Sequence, residues 1–215
     1  MTFVVAIDGP GGAGKSTVSR AVAERLRAGH LDTGAFYRAA TLAVLEAGAD
    51  PSDPDAVEGA VADIQIDQEN GRTFLGDRDV STEIRSPEVT AAVSAVSSHP
   101  RLRERMVAAQ REWVQKTGSR AVVEGRDIGT VVFPGADVKV FLDADPAVRA
   151  ARRSGETGEV VAAVEAALRR RDQLDSTRDT SPLRPAEDAV VIDTTDLSID
   201  QVVDRVIALC ERSLD

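Results

Sequence analysis

Cysteine is nearly absent. Cys210 stands alone among 215 residues, so no disulfide can close within the chain and the fold does not depend on oxidising surroundings. A reducing cytoplasm is the expected home. Long apolar runs are missing too: none approaches the about 20 residues that cross a bilayer. Met1 leads within two residues into the short run Phe3 to Ile7, which leaves no room for a cleavable signal. No membrane partner is expected. Positive charge is in deficit, with a formal net charge of −10. This argues against a general nucleic-acid surface, because phosphate-backbone binding draws on an excess of Lys and Arg. Any anionic ligand must then be met locally. Histidine occurs only as His30 and His99, and lysine only three times. His99 precedes Pro100 at a predicted helix start, and both histidines read as structural. The other 23 basic residues are arginine, whose planar fork grips phosphate oxygens two at a time as lysine cannot. For most surface arginines codon bias is the plainer explanation. Nothing in the composition, 42% hydrophobic and 29% charged, suggests disorder, low complexity or internal repeats. The length suits one domain with a sizeable core and a small insert.

Phe3 to Ile7 is an apolar run bounded by Asp8-Gly9-Pro10, which predicts a buried strand ending in a loop. Val18, Ala21, Val22 and Leu26 then recur at helical spacing until Gly29. Similar apolar runs at Ala121 to Val123, Val138 to Leu142 and Ala189 to Ile192 each neighbour a helix-period stretch, so strands alternate with helices and a parallel sheet is predicted. The last helix opens on Ser198-Ile199-Asp200-Gln201, a capping-box spacing, with Val202, Val203, Val206, Ile207 and Leu209 facing the core. The segment 64–81 breaks this rhythm: Ile64-Gln65-Ile66 alternates, and Asn70-Gly71 precedes Thr73-Phe74-Leu75, which predicts a small antiparallel insert. Ser86-Pro87-Glu88 and Pro100 start the two helices expected to flank it, the second carrying Leu102, Met106 and Trp113. Gly155 to Gly158 and Asp172 to Pro185 are polar, arginine-bearing and weakly patterned. Such stretches suit a mobile segment over a site, and on pattern alone a plain surface loop is the better reading.

One motif carries specific chemistry. Gly9-Pro10-Gly11-Gly12-Ala13-Gly14-Lys15-Ser16-Thr17 fits G-x-x-x-x-G-K-[ST] and lies between a predicted strand and a predicted helix, the context a phosphate loop requires. Its glycines let backbone N–H groups converge on phosphate oxygens, the helix N-terminus adds a positive dipole, Lys15 reaches the β and γ phosphates, and Ser16 ligates Mg²⁺. A nucleoside triphosphate is therefore the expected ligand, with Mg²⁺ as its companion. The loop alone does not choose among kinase, motor and switch. Arg38, Arg126, Arg171 and Arg178 fall at or after predicted strands, the side where open α/β sheets hold ligands, although each taken singly reads as a solvated charge.

Three further segments decide the matter: Asp32-Thr33-Gly34-Ala35-Phe36-Tyr37-Arg38, then Glu124-Gly125-Arg126-Asp127-Ile128-Gly129-Thr130-Val131-Val132-Phe133-Pro134, and Arg171-Asp172 through Arg178. In that order, and end to end, the sequence resembles the bacterial cytidylate kinases. The resemblance implies an α/β fold of the P-loop NTPase type: a parallel sheet flanked by helices, with a small antiparallel β insert in the acceptor-binding region and a short lid. It implies one kinase domain over 1–215, with residues 35–120 binding the acceptor, the insert at 64–81 and the lid at 150–185. It implies transfer of the γ-phosphoryl group of ATP to CMP or dCMP by a cytoplasmic monomer with no nucleic-acid or membrane partner. Carried over residue by residue, it makes Lys15, Arg38, Arg126 and Arg178 the catalytic phosphate ligands. Thr33, Arg171 and Asp175 stand near the sugar of the acceptor, Tyr37 also belongs to the acceptor site, and Ser94, Arg103 and Asp127 read cytosine. Two departures stand out. Glu124 occupies a position where the family often has Asp, and the stretch from Arg153 to Arg171 is short. A kinase for UMP or for a metabolite hydroxyl is one rival, the latter wanting a general base, and an ATP-binding regulatory protein without turnover is another.

Overall fold

The computed structural model describes residues 2–178 and 180–214. In chain order its elements begin with β1 (Phe3–Asp8), α1 (Lys15–Leu26), β2 (Gly29–Asp32), α2 (Thr33–Glu46) and α3 (Pro54–Ala60). There follow β3 (Ile66–Glu69), β4 (Arg72–Leu75), β5 (Arg78–Asp79), α4 (Pro87–Val96) and α5 (Pro100–Thr117). The chain closes with β6 (Arg120–Gly125), β7 (Val138–Asp143), α6 (Pro146–Thr157), α7 (Val161–Ser176), β8 (Val190–Asp193) and α8 (Ile199–Leu214). They form two compact units, Met1–His30 with Thr117–Asp215, and Leu31–Lys116.

The larger unit is built on a five-stranded sheet in the order β2-β6-β1-β7-β8. β1 pairs in parallel with β6 and with β7, and β7 with β8. Val4, Val5, Ala6 and Ile7 of β1 are all buried, as expected of a central strand covered on both faces. A central β1 makes its C-terminal end the point where strand order reverses, and open parallel sheets hold ligands there. The glycine loop begins at that point. Val18 and Val22 of α1 and Val202, Val203, Val206 and Ile207 of α8 join Val5, Ile7, Val140 and Leu142 in one core cluster. Each such side chain stabilises the fold by about 1.5–3 kcal/mol when removed from water. The predicted capping box is present: the Gln201 N–H donates to Ser198 Oγ at 3.2 Å, and Ser198 N–H donates to Gln201 Oε1 at 2.9 Å.

Cys210 belongs to this core and is fully buried. Burial pushes its thiol up to about 11. A thiol whose folded value lies above its unfolded value of 9.0 contributes its stability below pH 9 and loses it as pH rises towards 11. A maleimide or disulfide reagent at neutral pH is therefore expected to label the native protein no faster than it unfolds. The check is labelling followed by mass, with and without denaturant. Rapid labelling of native protein would contradict this packing.

The smaller unit joins α2, α3, α4 and most of α5 to a three-stranded antiparallel sheet, β3-β4-β5. The predicted hairpin turn is at Asn70-Gly71, both with positive φ (51° and 75°), between the paired residues Glu69 and Arg72. Asp32 caps α2 by accepting from the Ala35 N–H at 3.1 Å, and Ser86 caps α4 ahead of Pro87. The insert is fastened to the head of α2 by Gln68. Its Oε1 accepts from the Asp32 N–H at 3.0 Å, and its Nε2 donates to the Asp32 carbonyl at 2.8 Å. Trp113 Nε1 in turn donates to the Gln68 carbonyl at 2.9 Å.

Two polar stretches read as loops are partly helical. Gly155 to Thr157 ends α6, and Asp172 to Ser176 ends α7. Position 179 of the second stretch lies outside the described residues. The helix extends through Asp172 and Asp175 because distant arginines hold both carboxylates, an arrangement that local pattern does not reveal. β2 was not predicted either: its sequence Gly-His-Leu-Asp has no apolar run, and it is a strand because it lies beside β6. Among the described residues no helix is long and apolar enough to cross a membrane.

Candidate active site

At the end of β1 the chain turns through Gly9, whose φ of 149° suits glycine, and a Cβ there would lie 2.1 Å from the Leu142 carbonyl oxygen. At Gly12, φ is 77° and a Cβ would meet the Arg149 carbonyl oxygen at 2.8 Å. Side chains at these positions would push the loop off β7 and α6. Gly14, in the left-handed region, leads into α1, and Lys15 is its first residue. Lys15 Nζ donates to the Pro10 carbonyl at 2.7 Å, so the lysine curls back over its own loop. Burial, aided by the Arg126 charge, lowers its ammonium to about 7, with Glu124 and Asp8 opposing. α6 and α7 fasten the loop at Gly11. Arg149 Nη1 donates to the Gly11 carbonyl at 3.0 Å and to Asp172 at 2.5 Å, while the Gly11 N–H points to Asp172 Oδ1 at 3.4 Å.

Beside this loop three arginines surround one buried carboxylate. Arg126, the residue after β6, donates Nε to Asp175 Oδ2 at 2.8 Å and Nη1 to the Gly9 carbonyl at 2.6 Å. Arg178 donates to Asp175 Oδ1, and Arg171 Nε lies 3.9 Å from Oδ2. Burial pushes the Asp175 carboxyl up, but the guanidiniums of Arg126, Arg178 and Arg171 more than offset it and leave the group below the usual carboxylate range. One negative charge among three positive ones, with Lys15 alongside, leaves an excess suited to phosphate.

The strand ends beside the loop supply two further carboxylates. Asp8 accepts from the N–H groups of Ile128 and Gly129, both at 2.8 Å. Burial, only partly offset by these bonds and reinforced by Asp127, lifts its carboxyl to about 6. The bonds anchor a single π-helical turn, Ile128–Val132, a local form that recurs at functional sites. Asp127, buried, heads that turn, its carbonyl accepting from Val131 and Val132 at 2.9 and 3.1 Å. Glu124, the penultimate residue of β6, is buried and accepts from Ser16 Oγ at 2.8 Å through Oε2. Ser19 Oγ and His30 Nε2 each lie 3.1 Å from its Oε1. Burial would raise Glu124, but the His30 hydrogen bond and charge and the Lys15 charge bring it below the usual range.

In the smaller unit, the Arg103 guanidinium sits 5.1 Å from the centre of the Tyr37 ring and donates Nη1 to the Ser97 carbonyl at 3.1 Å. Arg38 donates Nη1 to the Ile84 carbonyl at 3.1 Å and to Thr90 Oγ1 at 2.9 Å. Ser94, one turn beyond Thr90 on α4, shares its face. Thr33, buried, is the first residue of α2 after its cap. The predicted residues thus fall into two groups. Lys15, Ser16, Arg126, Asp127, Arg171, Asp175 and Arg178 belong to the larger unit, and Thr33, Tyr37, Arg38, Ser94 and Arg103 to the smaller. The sequence assigns no role to Asp8, Ser19, Glu124, Arg149 or Asp172, and in it His30 reads as structural only. For Glu124 and Asp8 a signal existed: each is a carboxylate at the end of an apolar strand run.

A protein-family model described as cytidylate kinase matches residues 5–212. The chain is 54% identical over 211 residues to a cytidylate kinase of Mycobacterium avium, covering 94% of this chain and 92% of that one. To a cytidylate kinase of Rhodococcus opacus it is 51% identical over 222 residues, covering 99% and 96%. Among solved structures it shares the fold of a shikimate kinase from Acinetobacter baumannii, with a TM-score of 0.50 at 17% identity over 99% of this chain and 94% of that one.

Proposed function

The chain belongs to the cytidylate kinase family, and from that premise we propose how its residues move the γ-phosphoryl group of ATP to CMP or dCMP. The observation that carries the assignment is the arginine cluster on Asp175, tied through Arg126 to the carbonyl of Gly9 in the phosphate loop. The loop and Lys15 hold the triphosphate. Arg126 and Arg178 meet the charge of the transferring group and of the acceptor phosphate, Arg171 stands near the acceptor's sugar, and Arg38 serves the acceptor from α2. The nucleophile is a phosphate oxygen of the acceptor, already largely dianionic because the second pKa of a phosphate monoester is about 6. No general base is needed, and the nearby carboxylates are otherwise engaged: Asp8 holds two backbone N–H groups, and Glu124 holds Ser16. What remains is alignment of two polyanions and stabilisation of developing charge.

The donor set fits Mg²⁺. Ser16 and Glu124 offer hard oxygens, and Ser16 gives its only proton to Glu124, leaving its lone pairs for a cation. Among the described residues no cluster of three or more His, Cys, Asp or Glu side chains is placed to hold a metal, which accords with an ion that relies on substrate phosphates for much of its coordination. Once bound, Mg²⁺ neutralises phosphate charge. On this reading residues 35–120, with the insert at 64–81, bind the acceptor and residues 150–185 form the lid of one kinase domain. The same reading makes the protein a cytoplasmic monomer working on free nucleotides rather than nucleic acid, a choice the net charge of −10 supports.

Cytosine presents an N4 amine and an N3 acceptor, and uracil reverses both. A carboxylate accepts from N4 while an arginine donates to N3 or O2, so Asp127 and Arg103 match cytosine, with Ser94 able to adapt. Asp127→Asn replaces an acceptor-only group with one that also donates to the O4 of uracil. The ratio of kcat/KM for CMP over UMP is expected to fall about 10-fold. A coupled ADP-release assay with both nucleotides tests the function and the base reading together. Turnover with neither nucleotide would remove the first. A wild-type ratio at reduced activity would assign Asp127 to the phosphates instead.

A further inference from the structure

We propose that His30 is a positioning residue: its Nε2 fixes the Glu124 carboxylate so that the other carboxylate oxygen stays on the hydroxyl of Ser16. The inference rests on the reading of Ser16 as the residue that faces Mg²⁺ and extends it to a side chain outside the phosphate loop.

The two oxygens of Glu124 do different things. Oε2 accepts from Ser16 Oγ at 2.8 Å, and Oε1 lies 3.1 Å from both Ser19 Oγ and His30 Nε2, which are themselves 2.9 Å apart. A carboxylate oxygen can only accept, so both neighbours of Oε1 are donors and the network places a proton on Nε2. Ser19 alone is a weak anchor, because its single proton can also go to the Ser16 carbonyl, 3.4 Å from Oγ. The imidazole is the rigid donor. It reaches Glu124 from β2, the strand beside β6, and its side chain keeps 15% of its exposure while that of Glu124 keeps 4%.

Glutamate has one more rotatable bond than aspartate, and a buried glutamate without a second anchor can swing its carboxylate away from its target. Ser16 stands in the first turn of α1, and its hydroxyl would then be free to rotate to another acceptor. Its lone pairs would no longer be presented to a cation. His30 closes off that alternative at the carboxylate end. The longer side chain at position 124 and the histidine at position 30 thus make one arrangement.

The test is the Mg²⁺ dependence of nucleotide binding, read by calorimetry with an ATP analogue that carries an imido bridge between its β and γ phosphates. His30→Leu and His30→Phe, neither able to donate, are expected to raise the MgCl₂ concentration for half-maximal enhancement about 10-fold, the scale found when partners behind a metal site are removed. Affinity without Mg²⁺ should stay within about twofold, because the loop that holds the phosphates is intact. His30→Gln, which keeps an N–H donor, should recover most of the loss. In a Glu124→Ala background the His30 changes should add nothing, since their target is gone. An unchanged Mg²⁺ requirement overturns the proposal. So does an equal loss of affinity with and without Mg²⁺, or an equal effect in the Glu124→Ala background, each of which makes His30 a plain structural residue. Ser16→Ala separates this from the underlying reading. If Ser16→Ala leaves the Mg²⁺ requirement unchanged, the metal-facing role of Ser16 fails. If it raises the requirement while the His30 variants do not, only the proposal about His30 falls.

Discussion

Lys15→Ala is expected to lower kcat by about 1,000-fold or more while leaving the melting temperature unchanged or slightly raised. The large loss follows from what the ammonium does in the reaction. It is the charge of the phosphate loop itself, and removing one preorganised donor from a developing anion costs about 100–1,000-fold even when the donor is neutral. The small effect on stability follows from its surroundings. Lys15 makes one hydrogen bond to the Pro10 carbonyl, lies beside the Arg126 guanidinium, and has its ammonium lowered to about 7 chiefly by burial. A cation so placed costs the empty fold stability rather than supplying it. Steady-state turnover and thermal melting on the same preparation check both halves. Near-normal turnover would remove the phosphate loop from the mechanism, and a collapsed melting temperature would make Lys15 a structural residue.

Arg126→Lys should also fail, by about 100-fold in kcat, although it keeps the charge. Arg126 uses two faces of its guanidinium at once, Nε on Asp175 and Nη1 on the Gly9 carbonyl. Its Nη2 lies 3.6 Å from where a Cβ on Gly11 would stand, so the fork sits directly over the loop. An ammonium on a flexible stem can satisfy one of these partners but not hold the plane that joins them. Displacement of an aligning group by about 1 Å can cost on the order of 100-fold. The loss should fall on kcat more than on the KM for either nucleotide, because phosphate charge is still met. Wild-type kinetics in Arg126→Lys would show that point charge suffices and that the fork has no aligning role.

What the sequence disclosed and what it hid divide along the range of the interactions. The phosphate loop, the hairpin at Asn70-Gly71 and the Ser198–Gln201 cap were legible because each is specified by residues a few positions apart. β2 was not, since Gly29–Asp32 has no apolar run and owes its extended form to β6 beside it. The helical end of α7 was hidden for a related reason. Asp172 and Asp175 look like loop residues until Arg149 and Arg126, far away in the chain, neutralise them. The arginines of the site could be nominated from motifs, but their common partner Asp175 shows as a hub only in three dimensions. The bond from Ser16 to Glu124 spans 108 positions and pairs two residues whose local sequence does not mention each other.

The central place of β1 also bears on how the protein is made. β1 is synthesised well before its partners, for its register pairs Phe3 with Arg120 and Val5 with Val138. At about 5–20 residues per second, the strand waits on the order of 5–25 s for its first partner. Through that interval Val4–Ile7, four consecutive apolar residues that end up buried, stand uncovered in the nascent chain. Leu31–Lys116 is continuous, and its hairpin pairs neighbours such as Glu69 and Arg72, so it can complete its own packing during the wait. The nascent chain therefore passes through a stage in which Leu31–Lys116 is packed and β1 is not, when an unpaired apolar strand is the natural target for a chaperone or for aggregation.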